Sequence, residues 1–257
     1  MTQTPFDPSE VEPHLHENSQ TLSLSFEGRL IQSCMNRDRP EELVLDYTRA
    51  MMGALLFNPR PSHVLMIGLG GGSMLKYLHR HLPDCDLTTV EISQAVIDLR
   101  GSFLIPPDDD RHRIVCADGA AFVRQPPRRY DLILVDGFDG QGIPEPLCSR
   151  GFYQHVRAAL KADGLMVANV QAETAQSRMI RQRIEKAFDR QLIAVESDEG
   201  GNDLVTAAND RTVFDATLAD FQARWLALDA VHRETLGETA GAIEHALKRG
   251  GGGMPVR

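Results

Sequence analysis

The sequence predicts an α/β fold: a mostly parallel seven-stranded sheet covered by helices on both faces, with its last hairpin antiparallel. Three observations carry this expectation. From residue 63 onward, short apolar runs alternate with amphipathic helical segments, the pattern of a sheet buried on both sides. The first run, residues 64–67, passes straight into Gly68, Gly70, Gly71 and Gly72 and then into a helix-like Ser73-Met-Leu-Lys-Tyr-Leu-His. The last two runs are joined by Glu199-Gly-Gly-Asn-Asp, which leaves no room for a crossover helix, so they pair antiparallel.

Taken in order, residues 1–20 are polar, contain Pro5, Pro8 and Pro13, and read as a loose N-terminus. Leu22, Leu24 and Phe26 alternate, Glu27-Gly28 is a turn signal, and residues 29–34 return as a second strand. Pro40-Glu-Glu opens a helix running to about residue 57, with Leu43, Val44, Tyr47, Met51, Ala54 and Leu55 on a 3.6-residue period; Pro59 and Pro61 end it. This hairpin and helix form an N-terminal unit, residues 21–60. In the main unit, residues 61–212, strands are expected at 63–68, 86–91, 111–116, 130–136, 165–170, 191–197 and 203–209. Helices are expected there at 73–82, 92–102, 118–125, 150–162 and 173–188. Two more helices, about 213–229 and 232–248, fill residues 213–249, and the glycine-rich 250–257 reads as a flexible tail.

Of the 257 residues 42% are hydrophobic, enough for a sizeable core, and the net charge of −9 argues against a general nucleic-acid or anionic-membrane surface. No run approaches the ~18 apolar residues of a membrane span. The opening Met-Thr-Gln-Thr-Pro-Phe-Asp-Pro has no basic region followed by an apolar one. Cys34, Cys85, Cys116 and Cys148 are far apart, with no Cys-x-x-Cys, and read as reduced thiols of a cytoplasmic protein. No metal is expected: His14/His16 and His79/His81 are spaced i, i+2, which a helix turns to different faces.

A strand, a glycine turn and a helix start make a place where backbone can approach a ligand closely. Glu91 ends the second strand, where an acid can accept both hydroxyls of a ribose. Asp118 ends the third strand, Asp136 ends the fourth, and Asp139 follows in the same loop. Beyond the carboxyl ends of a parallel sheet these acids line one crevice with the glycines. A dinucleotide turn wants its third glycine where Ser73 stands, and an acidic crevice suits a sulfonium nucleoside and an amine better than a pyrophosphate. The plainer readings are that Glu91 and Asp118 are helix N-cap or first-turn acids, and that the loop from Asp136 is an ordinary glycine-rich connection.

Across residues 22–170 the chain resembles the spermidine synthases, or polyamine aminopropyltransferases. The resemblance implies a class I SAM-methyltransferase, Rossmann-like fold with a small N-terminal hairpin and helix extension. Gly28-Arg-Leu-Ile-Gln32 is similar to the family's hairpin, whose Gln contacts the nucleoside, and Glu42-Leu-Val-Leu-Asp-Tyr47 to the helix bearing its substrate-side Tyr. Gly68, Gly70, Gly71, Gly72 and Ser73 fall on the cofactor turn, Glu91 on the ribose acid, and Asp118-Gly119 on the adenine-side pair. Asp136-Gly-Phe-Asp139 resembles the gate loop, with Asp136 as base and amine ligand and Asp139 as its partner; Gly142, Glu145, Leu147 and Phe152-Tyr153 continue the match. By the resemblance, the co-substrate is decarboxylated S-adenosylmethionine or S-adenosylmethionine (SAM), the acceptor a small amine, and the assembly a homodimer.

The departures lie on the polyamine side. The family continues its turn Asp-Gly-Gly where this chain has Ser73-Met74-Leu75, which makes intact SAM a plausible donor. Gly140 replaces the gate-loop proline, Thr48-Arg49 replaces Gln-Glu after the Tyr, and Asp198-Glu-Gly-Gly-Asn replaces an aromatic and proline segment. Asn169 and Gln171 stand near the family's Gln and Glu. Three readings follow: aminopropyl transfer to an amine, SAM-dependent methyl transfer to a small molecule, and a non-catalytic nucleoside-binding scaffold.

Overall fold

A computed structural model describes residues 12–26, 30–139, 142–197, 201–214 and 218–248. The Gly28 turn, the Gly140 position, the replaced segment at 198–200 and the tail 250–257 lie outside the described residues.

The N-terminal unit is a three-stranded antiparallel sheet in the order β1 (Pro13–Glu17), β2 (Thr21–Phe26), β3 (Leu30–Asn36). β1 falls in the stretch expected to be loose. It pairs with β2 from Pro13↔Phe26 to Glu17↔Leu22, and its last four residues are exposed. An edge strand held by its backbone ladder has no buried face, so no apolar alternation marks it in the sequence. Helix α1 (Asp46–Met52) begins at Asp46, not at Pro40. Arg49 Nη1 donates to the carbonyls of Leu43 and Val44, both at 2.9 Å, and holds that segment outside the helix. A 3₁₀ turn, Gly53–Leu56, follows.

The large sheet takes its strands from β4 (His63–Ile67), β5 (Asp86–Glu91), β6 (His112–Cys116), β7 (Tyr130–Val135), β8 (Leu160–Gln171), β9 (Leu192–Glu196) and β10 (Asn202–Ala208). Their order is β6-β5-β4-β7-β8-β10-β9; the first five are parallel, and β10 runs antiparallel to both β8 and β9. Between them lie α2 (Ser73–His81), α3 (Gln94–Asp98), α4 (Gly119–Phe122), α5 (Glu145–Cys148), α6 (Arg150–Ala159) and α7 (Ala175–Ala187). The chain ends its described part with α8 (Leu218–Ala227) and α9 (Ala230–Lys248). The helix expected over 150–162 is α6, which stops at Ala159 because Leu160 already opens β8, and the short α5 before it was not expected; Ser149 lies between the two and caps α6, its hydroxyl accepting Phe152 N–H at 3.0 Å. The helix expected over 92–102 is only the short α3, capped by Ser93.

Alternation along the central strands sorts the core into two layers. Val64, Met66, Leu132, Leu134, Leu165 and Val167 face α1, α2, α8 and α9. Leu65, Ile67, Ile133, Val135, Met166 and Ala168 face α5, α6 and α7. On the first face α9 seats against the 3₁₀ turn, where a Cβ on Gly53 would stand 2.7 Å from Ile243. The same helix meets α2 through Tyr77 and His232, whose hydroxyl and Nδ1 are 2.7 Å apart in a buried contact. No helix among the described residues is long and apolar enough to cross a membrane.

At the edge opposite the glycine turn, the buried Asp131 ties three strands together. Its Oδ2 accepts Ser62 N–H (3.0 Å), His63 N–H (2.8 Å) and Lys161 Nζ (2.8 Å). Asp131→Ala strands these donors and is expected to destabilise the chain by about 2–3 kcal/mol. Urea unfolding of the two proteins at equal pH checks this.

Candidate functional site

A cavity of about 910 Å³ opens at the carboxyl ends of β4, β5 and β7 and is walled by β3, α1 and the start of β10. Ten of the twelve sequence-derived site residues line it: Gln32, Tyr47, Gly68, Gly70, Ser73, Glu91, Asp118, Gly119, Asp136 and Asp139. Gly71 and Gly72, expected on the cofactor, are not among the lining residues. A Cβ on Gly71 would meet Ser33 Oγ at 2.6 Å and Phe103 at 2.7 Å; one on Gly72 would meet Ile105 at 2.6 Å. These two are small because neighbouring side chains pack over the turn.

Gly68 has φ +98°, a conformation side-chain-bearing residues rarely adopt, and a Cβ there would lie 2.1 Å from the Asp136 carbonyl oxygen. Its N–H donates to Val90 O at 2.9 Å. Glu91 fixes the next residue: Oε2 accepts Leu69 N–H and Oε1 accepts Ser93 N–H, both at 2.9 Å. Burial pushes its pKa up, and those backbone donors oppose the rise. The Asp118 Oδ1 accepts Ala120 N–H (2.7 Å) and Ala121 N–H (3.4 Å), so this acid caps α4 as the plainer reading has it and lines the cavity as well. Gly119 lies on the tip of β4, its would-be Cβ 2.5 Å from Ile67. Ser73, buried at the start of α2, donates its hydroxyl to Cys34 O at 3.5 Å.

The other half of the cavity centres on Asp136. Burial raises its pKa from 3.8 to about 6, against hydrogen bonds from Asn169 and Tyr47. Asn169 Nδ2 donates to Asp136 Oδ1 at 2.9 Å, and Asn202 Nδ2 donates to Asn169 Oδ1 at 2.6 Å. The Tyr47 hydroxyl also reaches the Gln32 carbonyl oxygen, at 3.1 Å, so its one proton has two acceptors. Burial, then the Asp136 charge, holds the Tyr47 pKa well above its ordinary value. Asp139 and Gly142 close the loop with a backbone bridge, Asp139 N–H donating to Gly142 O at 2.8 Å.

Among the lining residues that the sequence did not single out are Asp46 and Asn202. Asp46 is a buried acid beside Tyr47, its Oδ1 accepting Tyr47 N–H at 2.7 Å. The expected α1 start put Asp46 mid-helix, and its apolar neighbours gave no sign of a cavity. Asn202 opens β10 beyond a turn signal, and only strand pairing brings it to Asn169. Arg49, a pocket cation if it faced inward, instead binds the carbonyls of residues 43 and 44. The described lining therefore holds five carboxylates, Asp46, Glu91, Asp118, Asp136 and Asp139, and no Lys, Arg or His. No cluster among the described residues has the make-up of a metal site.

The family profile described as spermine/spermidine synthase domain matches residues 45–195. A Neisseria meningitidis serogroup A protein named polyamine aminopropyltransferase is 37% identical over 195 residues, 75% of this chain and 74% of that one. Two solved structures share the fold. A probable spermidine synthase from Corynebacterium glutamicum has a TM-score of 0.68 at 19% identity, covering 90% of this chain and 91% of its own. Human methyltransferase-like protein 13 in complex with SAH has a TM-score of 0.60 at 21% identity, covering 82% and 96%. With a family match across more than half its length and a relative this similar over three quarters of it, the chain belongs to the spermine/spermidine synthase family and is a transferase.

Proposed function

We propose that the protein transfers an aminopropyl group from decarboxylated SAM to a small amine of the putrescine class. The observation that carries this reading is that Glu91, Asp118 and Asp136, at the tips of neighbouring parallel strands, line one cavity together with Asp46 and Asp139. Both reactants are cations, a sulfonium nucleoside and an ammonium, and such a lining attracts each of them. In this reading Glu91 holds the ribose hydroxyls, Asp118 and Gly119 the adenine side, and Gln32, Gly68, Gly70 and Ser73 the rest of the nucleoside. Tyr47 and Asp139 orient the amine, and Asp136 takes its proton. The neutral amine then attacks the carbon next to the sulfonium, and methylthioadenosine leaves as a neutral thioether. The leaving group is already activated, so the protein's contribution is alignment and exclusion of water. The family resemblance also leads us to propose a homodimer, with the main unit at residues 61–212 and the N-terminal unit at 21–60 completing each cavity.

A second reading, methyl transfer from intact SAM, is favoured by Ser73, which puts no charge at the end of the turn. Against it stand the five remaining acids, which repel the carboxylate of SAM. Calorimetric titration is expected to give at least tenfold tighter binding of decarboxylated SAM than of SAM. Equal or tighter binding of SAM would return the methyl-transfer reading. Replacing Ser73 in S73D adds a sixth acid and is expected to widen the difference.

Asp136 acts as a base only when ionised. The kcat/KM for the amine is expected to rise with pH through about 6, the value for the ligand-free site, and kcat to fall by ~10²-fold or more in Asp136→Asn. The same substitution is expected to stabilise the fold. A folded pKa above the unfolded one means that ionisation opposes folding, an effect absent below about 3.8 and complete above about 6. A shift near two units corresponds to at most ~3 kcal/mol, so thermal melts of Asp136→Asn at pH 7 should gain about 1–3 kcal/mol, a gain that shrinks toward pH 4.

A further inference from the structure

Asp136 is not held by its own loop alone. From α1 it is faced by Tyr47, from β8 by Asn169, and the other charged groups of the described lining are the acids Asp46, Glu91, Asp118 and Asp139. None of these supplies a positive charge, so hydrogen bonds alone favour the carboxylate form. Asn169 is almost fully buried, and its amide has two ends with opposite hydrogen-bonding character. With Nδ2 toward Asp136 it donates and favours the ionised acid. Turned over, its carbonyl would face Asp136 and favour the protonated acid. What distinguishes the two is the group at the far end of the amide. That group is Asn202, on the neighbouring strand, which donates to Asn169 Oδ1 at 2.6 Å. An amide whose oxygen accepts a hydrogen bond is polarised into a better donor at its nitrogen.

We propose that Asn202 is a positioning residue for Asp136: by donating to Asn169 it keeps the Asn169 amide N–H toward the carboxylate and so favours the ionised form that accepts the amine's proton. The proposal rests on the reading of Asp136 as the base. It makes the start of β10, a strand remote in sequence from the glycine turn and the gate loop, part of what sets the pH range of the reaction. Nothing in the role requires Asn202 to touch the reacting atoms.

The test is the titration of Asp136 itself, followed by carboxyl ¹³C chemical shift in the substrate-free protein, together with the acid limb of kcat/KM for the amine. Asn202→Leu removes the donor without adding charge and is expected to move both upward by about half a pH unit or more. Asn202→Asp, which can only accept in its ionised form, turns the Asn169 amide toward position 202 and is expected to move them further. An unchanged titration in both variants overturns the proposal. So does a rise confined to the aspartate variant, which is the effect of added charge alone. A uniform loss of kcat at every pH with an unmoved titration assigns Asn202 a packing role and also overturns it. Asn202 is half-buried at a strand end, and alanine replaces leucine if that variant does not fold. Because the ¹³C titration needs no substrate, a shifted Asp136 in a protein without aminopropyl transfer leaves the positioning role intact and removes only the assigned reaction.

Discussion

The close approach of Gly68 to the main chain of Asp136 is the constraint on which the site is built. Three strand tips meet there. Asp136 N–H donates to Ile67 O, Gly68 N–H donates to Val90 O, and Leu69 N–H reaches the Glu91 carboxylate, each at 2.9 Å. The turn proposed to cradle the nucleoside and the acid proposed to act as base thus share one backbone framework. Their separation is fixed by hydrogen bonds and by the missing side chain at position 68 rather than by a flexible loop. A near-attack geometry depends on that kind of rigidity, since misplacement by an ångström is enough to lose much of the rate.

Much of this was legible in the sequence because the central strands are buried on both faces. A strand in that position reads as an unbroken apolar run, and 63–68, 86–91 and 130–136 fall within a residue of the observed bounds. The antiparallel last hairpin followed from the length of a connection. What was hidden depended on contacts between distant segments. β1 buries almost nothing, so its strand state leaves no mark in hydrophobicity. The Pro40-Glu-Glu start signal was overridden by Arg49, whose guanidinium occupies the carbonyls that a longer helix would have used internally. Asp118 met both descriptions open to it, capping a helix with one oxygen while facing the cavity. Gly71 and Gly72 looked like ligand contacts because a glycine run does not say whether ligand or protein fills the space beside it. Asp46 and Asn202 reach the cavity through tertiary placement alone.

The site is also a local conflict within the fold. Glu91 and Asp136 are acids withdrawn from water, and the groups that hold them are hydrogen-bond donors rather than cations. Desolvation raises the pKa of Glu91 and Asp136, and hydrogen bonds offset only part of the rise. A fold optimised for stability would remove such groups. The two apolar layers that sandwich the sheet provide the surplus that tolerates them, which is the usual relation between a strained site and the scaffold beneath it. Binding of a cation relieves the conflict, so the ligand-bound state of a cavity like this is more stable than the empty one.

Helix α9 gives the order of assembly a direction. It closes the apolar face that α1 and α2 share, through Ile243 against Gly53 and His232 against Tyr77. α1 carries Tyr47, and α2 grows out of the glycine turn. These contacts span more than 150 residues of sequence, so they form only after the polypeptide between them has emerged and folded back. A nascent chain that has made all of the cavity's residues still lacks the helix that braces two of its walls. Until then it exposes an apolar face, and in the cell this is the interval when chaperone binding or aggregation competes with completion of the enzyme.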